Sequence, residues 1–208
     1  MKIIKKAFLL SIILFIICGI GYPLVMTGLS QVVFPKQANG SIAKINGNPV
    51  GSEVLGQNFS DEKFFKGRPS AVNYNTYTAE DTKPDKNGKT AYAGVASGSE
   101  NLAPSNPALA ERVQKDIDEF LKANPNIKKE DIPTDLLTAS GSGLDPHISI
   151  KAAQIQVPAI AKASGISEAE LNVIIDKSTE DRQVRIFGEP RVNVVKANME
   201  VFKLLNNK

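Results

Sequence analysis

The stretch KIIKKAFLLSIILFIICGIGYPLVMTGL, residues 2–29, decides the architecture. Lys2, Lys5 and Lys6 open it, and no further charged side chain appears until Lys36. A helix needs roughly 20 apolar residues to cross a hydrocarbon core about 30 Å thick, and residues 7–29 supply that length. A cleaved signal peptide would have a shorter apolar stretch and a small-x-small cleavage site, and neither feature is present. A lipoprotein signal would use Cys18, but Ile17 stands where a small residue is required. The stretch therefore reads as a transmembrane helix. Gly19, Gly21 and Pro23 interrupt it near its far end, where small residues let another helix approach closely. Lysine-rich flanks stay cytoplasmic, so the rest of the chain is expected on the outer face.

Beyond this segment the composition is ordinary. The chain has 208 residues, a formal net charge of +3, one cysteine, one histidine and no tryptophan. Lys and Arg are scattered among nearly as many acids, which argues against nucleic-acid binding. A single cysteine excludes an intrachain disulfide, and a Cys/His zinc site lacks donors.

The expected fold class is α+β: one N-terminal transmembrane helix followed by a single mixed α+β extracytoplasmic domain. The boundaries are a cytoplasmic N-terminus at 1–6, the transmembrane helix at 7–29, a juxtamembrane linker at 30–48 and the soluble domain at 49–208. Asn46-Gly47 marks a turn. Residues 49–59 read as a short strand entering the domain, 64–75 as an ordered loop, and the polar run 77–90 as a mobile surface excursion. Asn106-Pro107 opens a helix with a capping side chain and a first-turn proline. Leu109, Val113, Ile117, Phe120 and Leu121 then form its inner face, until Asn124-Pro125 stops it. A second helix runs from Ser149 to Gly165, kinked or split at Pro158. Ser167 and Glu170 have capping-box spacing and open a third. After Gly188-Glu189-Pro190, residues 192–205 read as a helix, or a strand followed by a helix.

Chemical motifs are sparse. Gly88-Lys89-Thr90 lacks the upstream glycine of a phosphate-binding loop, because position 83 is lysine. The Ser97–Leu102 tract is Ser/Gly-rich and reads as a tight loop before the Pro107 helix. The densest cluster is TASGSGLDPHIS, residues 138–149, where Ser, Asp and His stand close in sequence. Neither Ser140 nor Ser142 has the flanking glycines of a nucleophile elbow. A triad is defined by geometry, so a serine hydrolase using Ser140 or Ser142 with His147 stands as the alternative reading. The leading reading is structural: Ser140, Ser142 and Asp145 bond backbone in a glycine-permitted loop, with His147 satisfied locally.

Five blocks then appear in order after the one apolar helix: GSEVLGQNF (51–59), FFKGRPSAVNYN (64–75), SENLAPSNPAL (99–109), PTDLLTASGSGLDPHIS (133–149) and GEPRVNV (188–194). Together they resemble the C subunit of the Kdp high-affinity potassium-transporting ATPase, over nearly the whole chain. The motif positions are Gly56, Gln57, Gly67, Arg68, Ser70, Asn101, Pro104, Asn106, Pro107, Asp135, Ser140, Gly141, Ser142, Gly143, Asp145, Pro146, His147, Glu189, Arg191 and Asn193, expected as structural or interface residues. The glycine-rich run of the family reads Ser-Gly-Gly-Ser-Asn-Leu-Gly, whereas this chain has Glu100 and Ala103 within it. An acidic side chain there weakens any phosphate-binding role for that loop.

The resemblance implies a non-catalytic accessory subunit of an ATP-driven potassium import complex in the cell membrane. Its implied partners are a potassium-channel-like subunit, a P-type ATPase subunit and a very small membrane subunit. The subunit is implied to support assembly and to act as a catalytic chaperone that raises the ATPase subunit's affinity for ATP. ATP and potassium are then handled by the complex, and no cofactor or metal is expected on this chain. With the domain outside and ATP inside, such an effect would have to pass through the membrane helices.

Overall fold

The computed structural model describes residues 2–92 and 94–206. The chain forms two compact units, Met1–Val50 and Gly51–Lys208.

The first unit is dominated by one continuous 32-residue helical segment, Lys2–Val33, long and apolar enough to cross a membrane. It comprises α1 (Lys2–Ile16), a widened π turn (Ile17–Gly21) and α2 (Tyr22–Val33). The Tyr22 N–H bonds the Ile17 carbonyl, five residues back. Pro23 is the physical reason for this turn. It has no N–H to give to Gly19, and its ring would collide with that carbonyl in a regular α-helix. One extra residue in the turn relieves the clash without ending the helix.

Residues 30–48, expected as a linker, are ordered structure. The helix runs to Val33, a single turn α3 (Pro35–Ala38) follows, and β1 (Ile42–Ile45) pairs with β2 (Asn48–Ser52) in a hairpin. Asn46 and Gly47 both have positive φ, 51° and 82°, as the favoured two-residue hairpin turn requires. The turn at Asn46-Gly47 is thus as expected, but it joins two strands. The strand expected over residues 49–59 ends at Ser52.

In the second unit, α4 (Pro107–Ala123) starts where the sequence places it, with the Asn106 side chain accepting from the Ala108 N–H. The expected Ser149–Gly165 helix is two helices, α5 (Ile150–Gln154) and α6 (Val157–Ser164). Pro158 lies in the first turn of α6, where its missing N–H costs nothing. Gly165 closes α6 at φ 70°. The capping box is complete at α7 (Glu168–Ser178): Ser167 Oγ accepts from the Glu170 N–H, and the Glu170 carboxylate accepts from the Ser167 N–H. Ser167→Ala is expected to cost about 1 kcal/mol, read as a lower midpoint in urea unfolding with unchanged slope.

A small antiparallel sheet, in the order β3-β5-β4, joins these helices. Its strands are His147–Ile148, Arg191–Asn193 and Thr179–Glu180, with His147 opposite Asn193 and Glu180 opposite Arg191. The last helix, α8 (Val194–Asn206), continues directly from β5. The core gathers Ile148, Ala152, Ala153, Leu171, Ile174, Ile175, Val192, Val194 and Val201 from these elements, with Ile117 of α4 and Phe65. Residues 77–90 are largely exposed. They are nevertheless internally bonded: Asp81 accepts from Thr78, Pro84 pairs with Thr90, and the Tyr77 and Tyr92 rings stack at 4.0 Å.

Candidate functional site

The motif blocks converge on one junction of loops. Arg68 binds the 138–145 segment at several points. Its guanidinium reaches the Thr138 carbonyl at 3.3 Å, the Ala139 carbonyl at 3.4 Å and the Asp145 carboxylate at 3.2 Å. Ser70 Oγ donates to the Gly143 carbonyl at 2.6 Å and accepts from the Val72 and Tyr74 N–H groups. Gly143 has φ +67°, and a Cβ there would lie 2.8 Å from the Gly98 carbonyl oxygen, so both conformation and space require glycine. The Gly98 N–H and Ser97 hydroxyl both donate to the Ser142 carbonyl. The Ser97–Leu102 tract is therefore tied by backbone bonds to the other motif loop.

Tyr74 is the pivot, and the sequence did not single it out. It sits at φ 52°, between Asn73 and Asn75, which share the left-handed conformation. Its hydroxyl donates to the Arg68 carbonyl at 2.6 Å. Burial, with the neighbouring Asp145 charge, pushes the phenol pKa up to about 12, so the proton stays in place. Gly56 and Gly67 make room for the ring: a Cβ at Gly67 would lie 2.7 Å from the hydroxyl oxygen. One at Gly56 would overlap the ring edge and lie 2.8 Å from the Asp145 carbonyl.

From Asp145 an ion-pair chain runs along the sheet. His147 Nδ1 lies 3.3 Å from Asp145 Oδ1, and Nε2 lies 3.2 Å from Glu180 Oε2. Glu180 also receives Arg191 at 3.2 Å and Lys196 at 2.9 Å, and Lys196 reaches Glu53 at 3.8 Å. Burial opposes the charge on Asp145 and on Glu180. The bonds from His147 and Arg68, and from Lys196, His147 and Arg191, outweigh it and hold both carboxyls below their ordinary range.

A carboxyl with a depressed folded-state pKa contributes stability above its unfolded pKa and loses it as pH falls through the folded value. Unfolding midpoints are therefore expected to hold level down to about pH 5 and to fall below it. Asp145→Asn should flatten that acid limb, which urea titrations across pH would show.

The remaining motif residues divide. Asp135 caps Ser149, accepting from its N–H at 2.6 Å and from its hydroxyl. Asn193 Nδ2 donates to the Glu53 carbonyl, while its Oδ1 accepts from the Lys196 N–H. Pro146 is buried, and its carbonyl accepts from the Val194 N–H. Gln57 lies across Gly51, where a Cβ would overlap it. Asn106 and Pro107 form the start of α4. Asn101 and Gly141 lie in the loops of this junction but are exposed, as are Pro104 and Glu189 outside it.

The hydrolase reading is not assembled. Both His147 nitrogens face carboxylates, and neither serine hydroxyl is bonded to the ring. Ser142 Oγ accepts from the Leu144 N–H. Ser140, only 2% exposed, holds its loop through its backbone, donating its N–H to Pro69 and accepting from Gly143. Its hydroxyl is the one part of the expected backbone bonding that is not made: the atom is buried without a partner among the described residues.

Two buried amides also escaped the sequence reading. Asn198 Oδ1 accepts from the Phe65 N–H at 2.8 Å, and its Nδ2 donates to the Phe65 carbonyl at 2.9 Å. Gln156 does the same for Lys66, at 2.8 and 3.3 Å. Each mimics a strand partner for a peptide unit that no strand covers. Among the described residues no cluster of three or more His, Cys, Asp or Glu could hold a metal ion.

The comparisons with known proteins agree along the whole chain. The family described as K+-transporting ATPase, c chain, matches residues 4–203. The potassium-transporting ATPase KdpC subunit of Clostridioides difficile (strain 630) is 61% identical, over 99% of this chain and 99% of the relative. That of Clostridium kluyveri is 57% identical over 98% of this chain and 95% of the relative, and that of Caldanaerobacter subterraneus 44% over 96% and 94%. This chain, one apolar helix followed in sequence by an α+β domain that carries these motif loops, belongs to the KdpC family, the c chain of the K+-transporting ATPase.

Proposed function

We propose that this chain is the non-hydrolytic accessory subunit of an ATP-driven potassium import complex. It holds an extracytoplasmic domain beside the transport subunits and raises the ATPase subunit's affinity for ATP indirectly. The observation that carries this reading is the state of the motif residues. Arg68, Ser70, Asp145 and His147, the groups among them most suited to chemistry, are bonded to one another, to Glu180 and to backbone. Such an arrangement stiffens a scaffold and leaves no paired nucleophile and base.

The partners are a channel-like subunit, a P-type ATPase subunit and a very small membrane subunit. The route to the ATPase subunit is the helix Lys2–Val33. Nothing inside that helix demands glycine at 19 or 21, where a Cβ would meet only the Phe15 ring at 3.8 Å and the Ile16 carbonyl at 3.7 Å. Small residues there suit close approach by a partner helix. An outer domain that binds one conformation of the complex better than another shifts ATP affinity by that difference alone.

Topology tests the indirect route. Cys18 is the sole cysteine, so Cys18→Ser gives a blank background for a single reporter, Lys128→Cys. A membrane-impermeant maleimide is expected to label it in intact spheroplasts. Labelling only after lysis would place the domain with ATP and defeat the indirect mechanism.

A further inference from the structure

We propose that the hairpin between β4 and β5, residues 181–190, is the element by which the domain docks on a partner protein, into an apolar socket rimmed by carboxylates. This rests on the accessory-subunit reading and names the surface that such a subunit would use.

The hairpin stands out against the rest of the domain. Val184, Ile186 and Phe187 are 81%, 68% and 67% exposed, three large apolar side chains within four positions. Exposed apolar residues grouped in this way mark interaction sites, whereas scattered single ones do not. Arg182 and Arg185 stand among them, exposed and without an ion pair among the described residues. Arginine beside aromatic and aliphatic anchors is the composition of interface centres.

The tip is also built to hold its shape. Gln183 and Phe187 exchange both backbone bonds, at 2.9 and 3.0 Å, closing a three-residue loop. Val184 and Arg185 have φ of 54° and 61°. A β-branched residue strongly disfavours that region, and strain of this kind clusters at functional surfaces. At the base Glu180 is held by Arg191, Lys196 and His147, so the ion-pair chain of the motif loops anchors the hairpin. An element ordered before binding loses less entropy on docking.

A protein socket is favoured over a bilayer surface by charge. Asp181 and Glu189 flank the tip and would be repelled by anionic headgroups, leaving the two arginines little net attraction. Carboxylates placed on a protein rim can meet Arg182 and Arg185 while avoiding both acids.

Two measurements on the full complex test the proposal. Ile186→Cys in the Cys18→Ser background, labelled with a benzophenone maleimide and irradiated in membranes, is expected to give an adduct with another subunit. Adducts with lipid alone, or none, would overturn it. Ile186→Asp with Phe187→Asp is expected to lower recovery of partner subunits roughly tenfold or more, with an unchanged melting temperature for the purified chain. Undiminished recovery would overturn it as well. Wild-type chain that recovers its partners while the cross-link is absent refutes the docking surface alone. Wild-type chain that recovers no partners refutes the subunit reading too.

Discussion

Asn198→Leu is expected to cost about 4 kcal/mol of folding free energy, because it strands two buried backbone groups at once. Phe65 is fully buried, and its N–H and carbonyl are both held by the Asn198 amide. Leucine has nearly the same size and removes both partners. Each unsatisfied group costs about 1–3 kcal/mol, so the pair dominates any gain from added apolar surface. Asn172→Leu is the control. That side chain is exposed and bonds a carbonyl of its own helix, so its replacement should stay within about 0.5 kcal/mol. Urea unfolding of the two variants in one detergent separates the cases. Equal midpoints would mean that the Phe65 peptide finds other partners.

Gly56→Ala is expected to cost about 3 kcal/mol. The added methyl would overlap the Tyr74 ring and lie 2.8 Å from the Asp145 carbonyl, which is backbone and cannot swing aside. Relief requires moving the ring, which breaks the bond from the Tyr74 hydroxyl to Arg68, or moving the 144–146 segment. That segment is itself fixed, since the Gly56 N–H bonds the Leu144 carbonyl. Gly98→Ala is the matched comparison, because its Cβ would meet nothing within 4 Å. Its effect should stay below about 1 kcal/mol. A small loss for Gly56→Ala would show that the Tyr74 pocket is looser than the packing described above.

The legible parts of the fold were those that local chemistry decides. The apolar run before Lys36, the Asn106 cap, the Ser167–Glu170 box, the Pro158 break and the Asn46-Gly47 turn each act within a few residues, and each takes its expected form. Of the sheet, only β5 was legible, in the strand-then-helix reading of residues 192–205; β3 and β4 are two residues long and carry no alternation to detect. The β1–β2 hairpin was hidden by its polar, glycine-rich composition. Its turn could be read, but four residues of IAKI gave too little pattern for a strand.

The site was half legible for the same reason. Arg68, Ser70, Gly143, Asp145, His147 and Asn193 came from the blocks of family resemblance. Their partner Tyr74 lies in one of those blocks but was not singled out, and Gln156, Glu180, Lys196 and Asn198 lie in stretches with no motif. The Asn198 amide meets Phe65 across 133 residues of chain, and Gln156 meets Lys66 across 90. No local rule connects residues so far apart. A mid-helix asparagine with apolar neighbours, as in Val194–Val201, was the one available signal. A buried amide there must find a partner.

The central claim is that the chain serves an ATPase without hydrolysing ATP itself. Potassium-stimulated ATP hydrolysis, measured in membranes from cells producing the other subunits with or without this chain, tests it most directly. Activity should appear only when the chain is co-produced, and the purified chain alone should release no phosphate. Full activity without the chain, or hydrolysis by the chain in isolation, would contradict the account.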